Sequence, residues 1–160
     1  MKIGVVSDTH SRALPKEMLI ELSKMDLIIH AGDFCSLKDY HAFTKLKETK
    51  AVWGNMDDPD VRKTLPRKEI MEYDGVLIGL FHGEGPPRKL MDVLQKEFKK
   101  DKVDVVIFGH SHQPFNQKIN GVLYFNPGSP NDTISSPYCS FGVLDINNGE
   151  VNAKIVKLGS

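Results

Sequence analysis

The stretch that most constrains the fold is the apolar run Val103-Asp104-Val105-Val106-Ile107-Phe108, which stops at Gly109-His110-Ser111-His112. A β-branched run of this length reads as a buried strand. Two histidines at its carboxyl end then lie on the rim of a sheet, where open α/β folds place their sites. Four other segments repeat the pattern. Asp8-Thr9-His10 follows the run Ile3 to Val6, and Gly32-Asp33 follows Asp26 to His30. Gly54-Asn55-Met56-Asp57 follows a strand around Ala51-Val52-Trp53, and His82-Gly83 follows Val76 to Phe81. A chain built this way has to gather several strand ends at one edge.

The connections fit an α/β class. Pro15 suits the first turn of a helix whose apolar face is Met18, Leu19, Leu22 and Met25, and a second helix carries Tyr40, Phe43 and Leu46. The first half is therefore β-α-β-α-β, which predicts a largely parallel sheet with right-handed crossovers. After Pro59 the pattern changes. Lys68 to Tyr73 and Val76 to Phe81 flank Asp74-Gly75, a two-residue hairpin signal. Leu90, Met91, Leu94 and Phe98 then mark a further amphipathic helix. Beyond His112 the chain reads as a meander, with turns at Asn120-Gly121 and Asn147-Asn148-Gly149. Parallel units followed by hairpins imply two sheets packed face to face with helices outside, in one domain spanning residues 1–160.

The 160 residues hold 21 Lys and Arg against 21 Asp and Glu, so the overall field gives no reason to expect nucleic-acid binding. The clusters Arg62-Lys63 with Arg67-Lys68, and Lys96 with Lys99-Lys100, read as solvated faces. No apolar run reaches the length of a membrane span, and the start of the chain lacks the features of an export signal. Cys35 and Cys139 form no CxxC pair, which argues against a disulfide framework or a zinc ribbon. The expected location is cytoplasmic.

The strand-end segments supply Asp8, His10, Asp33, Asn55, His82, His110 and His112. Singly, each motif is weak, because Asp, Asn and Gly are ordinary turn residues and Asp is a common helix cap. Their recurrence at strand ends outweighs that reading. Asp8 and His10 are two apart, as are His110 and His112, so in an extended segment each pair points one way. Nitrogen and oxygen donors without thiolate suit Mn, Fe, Co, Ni or Zn. His30 and His41 fall outside the segments and read as structural or surface residues.

Asp8-x-His10, Gly32-Asp33, Gly54-Asn55, His82 and Gly109-His110-x-His112 together closely resemble the calcineurin-like metallophosphoesterases. The chain's size and Asn126-Pro127-Gly128-Ser129 resemble the small single-domain phosphodiesterase branch. The resemblance implies a four-layer α/β/β/α sandwich of two mixed sheets. It implies that Asp8, His10, Asp33 and His112 hold one divalent ion and that Asp33, Asn55, His82 and His110 hold a second, with Asp33 bridging. Manganese is the foremost choice, with nickel, iron, cobalt or zinc accepted by the same donors. Two such ions outweigh the two carboxylates, so the centre stays cationic even with a bridging hydroxide. That hydroxide would attack the phosphorus of a small phosphodiester. Asn55, Asp57 and Arg88 are the expected substrate contacts.

Two departures from the family pattern shape the expectation. Met56 follows Gly54-Asn55 where many members carry a histidine, and methionine cannot donate a proton to a leaving group. Asp33-Phe34-Cys35-Ser36-Leu37 lacks the arginine with which the protein phosphatases clamp a dianionic monoester, which favours diesters. The alternatives are a nuclease acting on nucleic-acid ends and a non-catalytic scaffold of the same fold.

Overall fold

In the computed structural model, which describes residues 1–159, ten strands form two five-stranded sheets. β1 (Lys2–Val6), β2 (Leu27–His30) and β3 (Thr49–Ala51) are parallel, and β9 (Ser140–Asn147) and β10 (Glu150–Lys157) add antiparallel in the order β10-β9-β1-β2-β3. The second sheet has the order β4-β5-β6-β8-β7. Its parallel centre is β5 (Val76–Phe81), β6 (Val105–Ile107) and β8 (Val122–Asn126), with β4 (Lys68–Tyr73) and β7 (Phe115–Ile119) antiparallel at the edges. Both sheets are mixed.

Side-chain alternation creates three apolar layers. Ile3, Val5, Leu27 and Ile29 from one sheet meet Ile78, Leu80, Val105, Ile107 and Phe125 from the other, forming the central core. The opposite faces turn outward. Val6, Ile28 and Phe141 pack under α1 (Lys16–Ser23), α2 (Leu37–Leu46) and α3 (Pro59–Thr64) through Met18, Leu22, Phe43 and Val61. Val106, Phe108 and Tyr124 pack under α4 (Leu90–Glu97) through Leu90, Leu94 and Phe98. The result is the α/β/β/α sandwich. Each fully buried aliphatic or aromatic side chain contributes about 1.5–3 kcal/mol, so strands buried on both faces anchor the rim above them.

Four local readings change. β6 is shorter than its apolar run: Asp104 still bonds through its main chain to Leu77 and Leu123, but its carboxylate accepts from Leu77 N–H at 2.9 Å and the regular strand starts at Val105. β3 ends at Ala51, before Val52 and Trp53. The six-residue α3 occupies the segment where the pattern was read as turning to hairpins. Its start is nonetheless well marked, with Asp58 capping Val61 N–H and Pro59 in the first turn. Finally, the C-terminal hairpins do not form one meander: β7–β8 completes the second sheet, whereas β9–β10 returns to the first and covers the free side of β1. Turn residues specify hairpins but not which sheet receives them. Among the described residues, no helix is long and apolar enough to cross a membrane.

Candidate metal centre

The loops at one rim are joined by main-chain hydrogen bonds before any side chain is considered. Asp8 N–H donates to Gly32 O at 3.0 Å, His10 N–H to Asp33 O at 2.9 Å and Gly109 N–H to His82 O at 3.0 Å. This closeness demands two glycines: a Cβ on Gly54 would overlap the Asp33 carboxylate, and one on Gly109 would overlap Ser7 Oγ. Ser129 Oγ donates to Asp8 O at 2.9 Å and Asn126 Nδ2 to Gly109 O at 3.1 Å, so the Asn126–Ser129 segment fastens two of these loops.

The rim gathers all seven predicted donors. Asp8 is fully buried, and its Oδ2 accepts from Ser7 Oγ at 2.9 Å and from His110 N–H at 3.1 Å. Its Oδ1 has no hydrogen-bond partner among the described residues. Three imidazole nitrogens face that oxygen: Nε2 of His112 at 3.4 Å, of His10 at 3.7 Å and of His82 at 3.8 Å. Asp33 Oδ2 lies 3.5 Å from His10 Nε2 and 3.2 Å from His82 Nε2. Asn55 Oδ1 is 3.1 Å from both His82 Nε2 and His110 Nδ1. Two groups of three have donor atoms within 4.8 Å of one another, Asp8-His10-His112 and Asp8-Asp33-His82. Asp8 thus reaches both groups, whereas the resemblance assigns it to one ion and makes Asp33 the bridge.

Hydrogen bonds on the far side of the rings show what this convergence needs. His82 Nδ1 lies 2.7 Å from Ala31 O and His110 Nε2 lies 2.7 Å from Gly85 O, and a carbonyl can only accept. Each ring therefore carries its proton there and turns a lone pair inward. Lone pairs facing carboxylate and carboxamide oxygens repel unless a metal ion or a second proton on the ring lies between them. The donor set, the orphaned Asp8 oxygen and the absence of thiolate fit hard or borderline divalent ions.

The electrostatics agree. Burial pulls the His82 ring down, but the Asp33 hydrogen bond and the charges of Asp8 and Asp33 outweigh it and push its pKa up to about 9. The Asp8 hydrogen bond, helped by Asp132, raises His112 to about 9 against burial. Burial alone would raise Asp8; the surrounding imidazoles instead hold it well below the usual carboxylate range. The pocket stabilises positive charge.

Several placements differ from the sequence reading. The Asp-x-His and His-x-His pairs do not converge through extended backbone. Asp8, His10, Asp33, His110 and His112 all have left-handed φ, between 47° and 73°. Such strain costs on the order of 1–3 kcal/mol per residue and is held by the loop hydrogen bonds. Asp57 is not a substrate contact: it is buried, and its carboxylate accepts from Asp33, Cys35 and Gly54 N–H at 2.7 to 2.9 Å, tying two ligand loops together. Arg88 is exposed and takes part in no side-chain hydrogen bond or ion pair among the described residues. Arg67 and Lys68 are not simply solvated, since they pair with Glu97 and Asp101.

His30 is fully buried. Its Nδ1 accepts from Gly32 N–H, its Nε2 meets Thr9 Oγ1, and its ring stacks on Phe34 at 3.6 Å. Burial lowers its pKa to about 3. The residue missed by the sequence reading is Asp132, which is buried and hydrogen-bonds His112 Nδ1 while accepting from Ile134 and Ser135 N–H. Such a carboxylate fixes the ring's tautomer and raises its basicity as a ligand.

Comparison with known proteins identifies the class. Residues 1–149 match the calcineurin-like phosphoesterase superfamily domain. A probable metallophosphoesterase of Methanocaldococcus jannaschii is 44% identical over 135 residues, spanning 81% of this chain and 68% of its own. A phosphodiesterase of the same organism is 31% identical, with 80% of this chain and 83% of that one covered. The solution structure of a Thermotoga maritima protein matches with a TM-score of 0.77 and 36% identity, covering 98% and 99% of the two chains. Vps29 of Entamoeba histolytica complexed with zinc shares the fold, with a TM-score of 0.76 at 24% identity and coverage of 98% and 99%. The chain belongs to the calcineurin-like phosphoesterase superfamily, whose members are metal-dependent.

Proposed function

We propose that this chain is a phosphodiesterase with two divalent ions, acting on small diesters. The observation that carries the proposal is the convergence of Asp8 Oδ1, Asp33 Oδ2, Asn55 Oδ1 and the inward nitrogens of His10, His82, His110 and His112, with the buried Asp8 Oδ1 lacking a hydrogen-bond partner among the described residues. His10 and His112 would hold one ion, His82, His110 and Asn55 the other, and Asp8 and Asp33 lie between. Divalent ions held by these residues would supply Lewis acidity and lower the pKa of a water to about 7.

The protein's own groups set the rest. Asp132, Ala31 O and Gly85 O orient three imidazoles, so little reorganisation is left for the reaction. Asn55 uses its Oδ1 toward the histidines, which leaves its Nδ2 group to donate to an ester oxygen. Met56 is 56% exposed beside it and carries no proton, so the leaving group departs without an acid. General acid catalysis is worth about 10²–10⁴-fold, and the enzyme accordingly favours esters of acidic alcohols. Arg62, the arginine beside Asn55, is engaged with Asn55 O, Asp57 O and the face of Trp53. A monoanionic diester needs less added charge than a dianionic monoester, and this favours the diester.

The test is hydrolysis of an aryl phosphodiester and its matching monoester by chelator-stripped protein, before and after adding Mn²⁺, Ni²⁺ or Zn²⁺. Metal-dependent turnover that prefers the diester is expected. Tight metal binding without turnover on either ester would point to a scaffold, and failure to bind metal would refute the proposal.

A further inference from the structure

We infer that an apolar recess beside the metal centre receives one ring-sized organic substituent of the diester, an inference that rests on the phosphodiesterase function proposed above. The recess, of about 230 Å³, is lined by Pro87, Leu90, Met91, Phe108, Gln113 and Phe115, together with Ser111. Two of its lining residues belong to loops that carry or hold the centre's histidines. Ser111 stands between His110 and His112, and Pro87 continues the loop whose Gly85 O holds His110 Nε2 at 2.7 Å. A substituent leaving the phosphorus on the His110 side therefore finds this surface next to it.

The lining defines what fits. Phe108 and Phe115 meet with ring centroids 6.1 Å apart, and Met91 is half-buried beside them at the mouth. The two polar residues are each hydrogen-bonded to the protein. Ser111 Oγ accepts from Asn126 Nδ2 at 3.1 Å and from Gln113 N–H at 3.2 Å, while Gln113 Nε2 donates to Ser135 O at 2.7 Å. Five of the seven lining residues are apolar, so the recess selects mainly by apolar shape. Drug-sized ligands occupy pockets of about 300–1,000 Å³, so this one takes a single aromatic ring and excludes a bulkier group. Apolar discrimination of this kind is modest, on the order of tenfold to two-hundredfold. Because α4 covers only part of the outer face of its sheet, the recess stays open at Met91 and Phe115.

Methionine methyl NMR on Zn²⁺-loaded protein tests the assignment without turnover. The probes are methyl phenylphosphonate and methyl methylphosphonate, two monoanionic analogues that differ only by the ring. Met56, beside Asn55, reports on the phosphonate head, and Met91 reports on the recess. Both probes should shift Met56, and only the phenyl compound should shift Met91. Met91→Ala should weaken phenyl binding about tenfold and leave the methyl compound unaffected. Met91→Trp, which fills the recess, should have the same selectivity of effect. If the phenyl compound shifts Met56 but not Met91, or if both variants keep the wild-type preference, the recess is not the subsite and the metal-centre proposal stands. If neither probe shifts Met56, the phosphodiesterase proposal fails and the subsite falls with it.

Discussion

The two halves of the metal centre are braced by different chemistry. In the His10–His112 half, a buried carboxylate, Asp132, locks one ring, and the fully buried His30 sits beneath the two loops that carry Asp8 and Asp33. In the His82–His110 half, the rings lean on main-chain carbonyls of Ala31 and Gly85, and Asn55 is exposed. A carboxylate behind an imidazole strengthens it as a donor, and a carbonyl orients it with less effect on charge. On the proposed function, the first half would retain its ion and the second would meet substrate.

The largest test removes what the halves share. Asp33→Asn should cut activity about 10³-fold and lower the bound metal, measured by elemental analysis, because its carboxylate faces His10 and His82 together. Loss confined to one equivalent with turnover intact would contradict the shared role. Met56→His acts only on the open half and should raise alkyl-diester turnover by about a hundredfold, at the lower end for an added acid, with little gain on aryl diesters. An equal gain on both would show that leaving-group protonation is not what limits the wild type.

Asp132→Asn should weaken the retained ion about 10–100-fold in chelator competition, whereas His110→Ala should release the other ion. If the two variants release the same equivalent, the distinction between the halves is wrong. The smallest effect concerns His30. Its pKa is about 3 in the fold against an ordinary 6.5, so folding favours the neutral ring. The stability it contributes is complete above pH 6.5 and is lost as the pH falls toward 3, by at most about 1.4 kcal/mol per unit. Denaturant midpoints at pH 7 and pH 5 should show this slope, and His30→Asn should flatten it.

The contrast between hairpins and ligand loops explains what could be read in advance. Asp74-Gly75, Asn120-Gly121 and Asn148-Gly149 have positive φ at both positions, as the sequence pairs predict for two-residue turns. Asp8, His10 and His110 reach the same region of backbone space for a tertiary reason. Contacts from distant loops hold them there, and no local pattern reveals this. The seven donors were legible from residue type and strand-end position. Asp132 was not, because it lies 20 residues beyond His112 in an irregular loop and touches it only after folding. Asp57 was misread for a similar reason: a turn carboxylate looks alike whether it faces solvent or three buried N–H groups. The four layers followed from apolar periodicity, but the destination of β9–β10 depended on which strand lacked a neighbour.

That last pairing has a consequence for assembly. The N-terminal amino group donates to Ile146 O across 145 positions of sequence, and β1 is flanked by β9. β1 therefore gains its second neighbour only when a strand far along the sequence joins it. Contacts of such separation slow folding. Asp8 is meanwhile without the His110 and Ser129 groups that fix it. All seven donors precede Ser129 in the sequence, yet the loop that carries Asp8 is fastened only once Ser129 is in place.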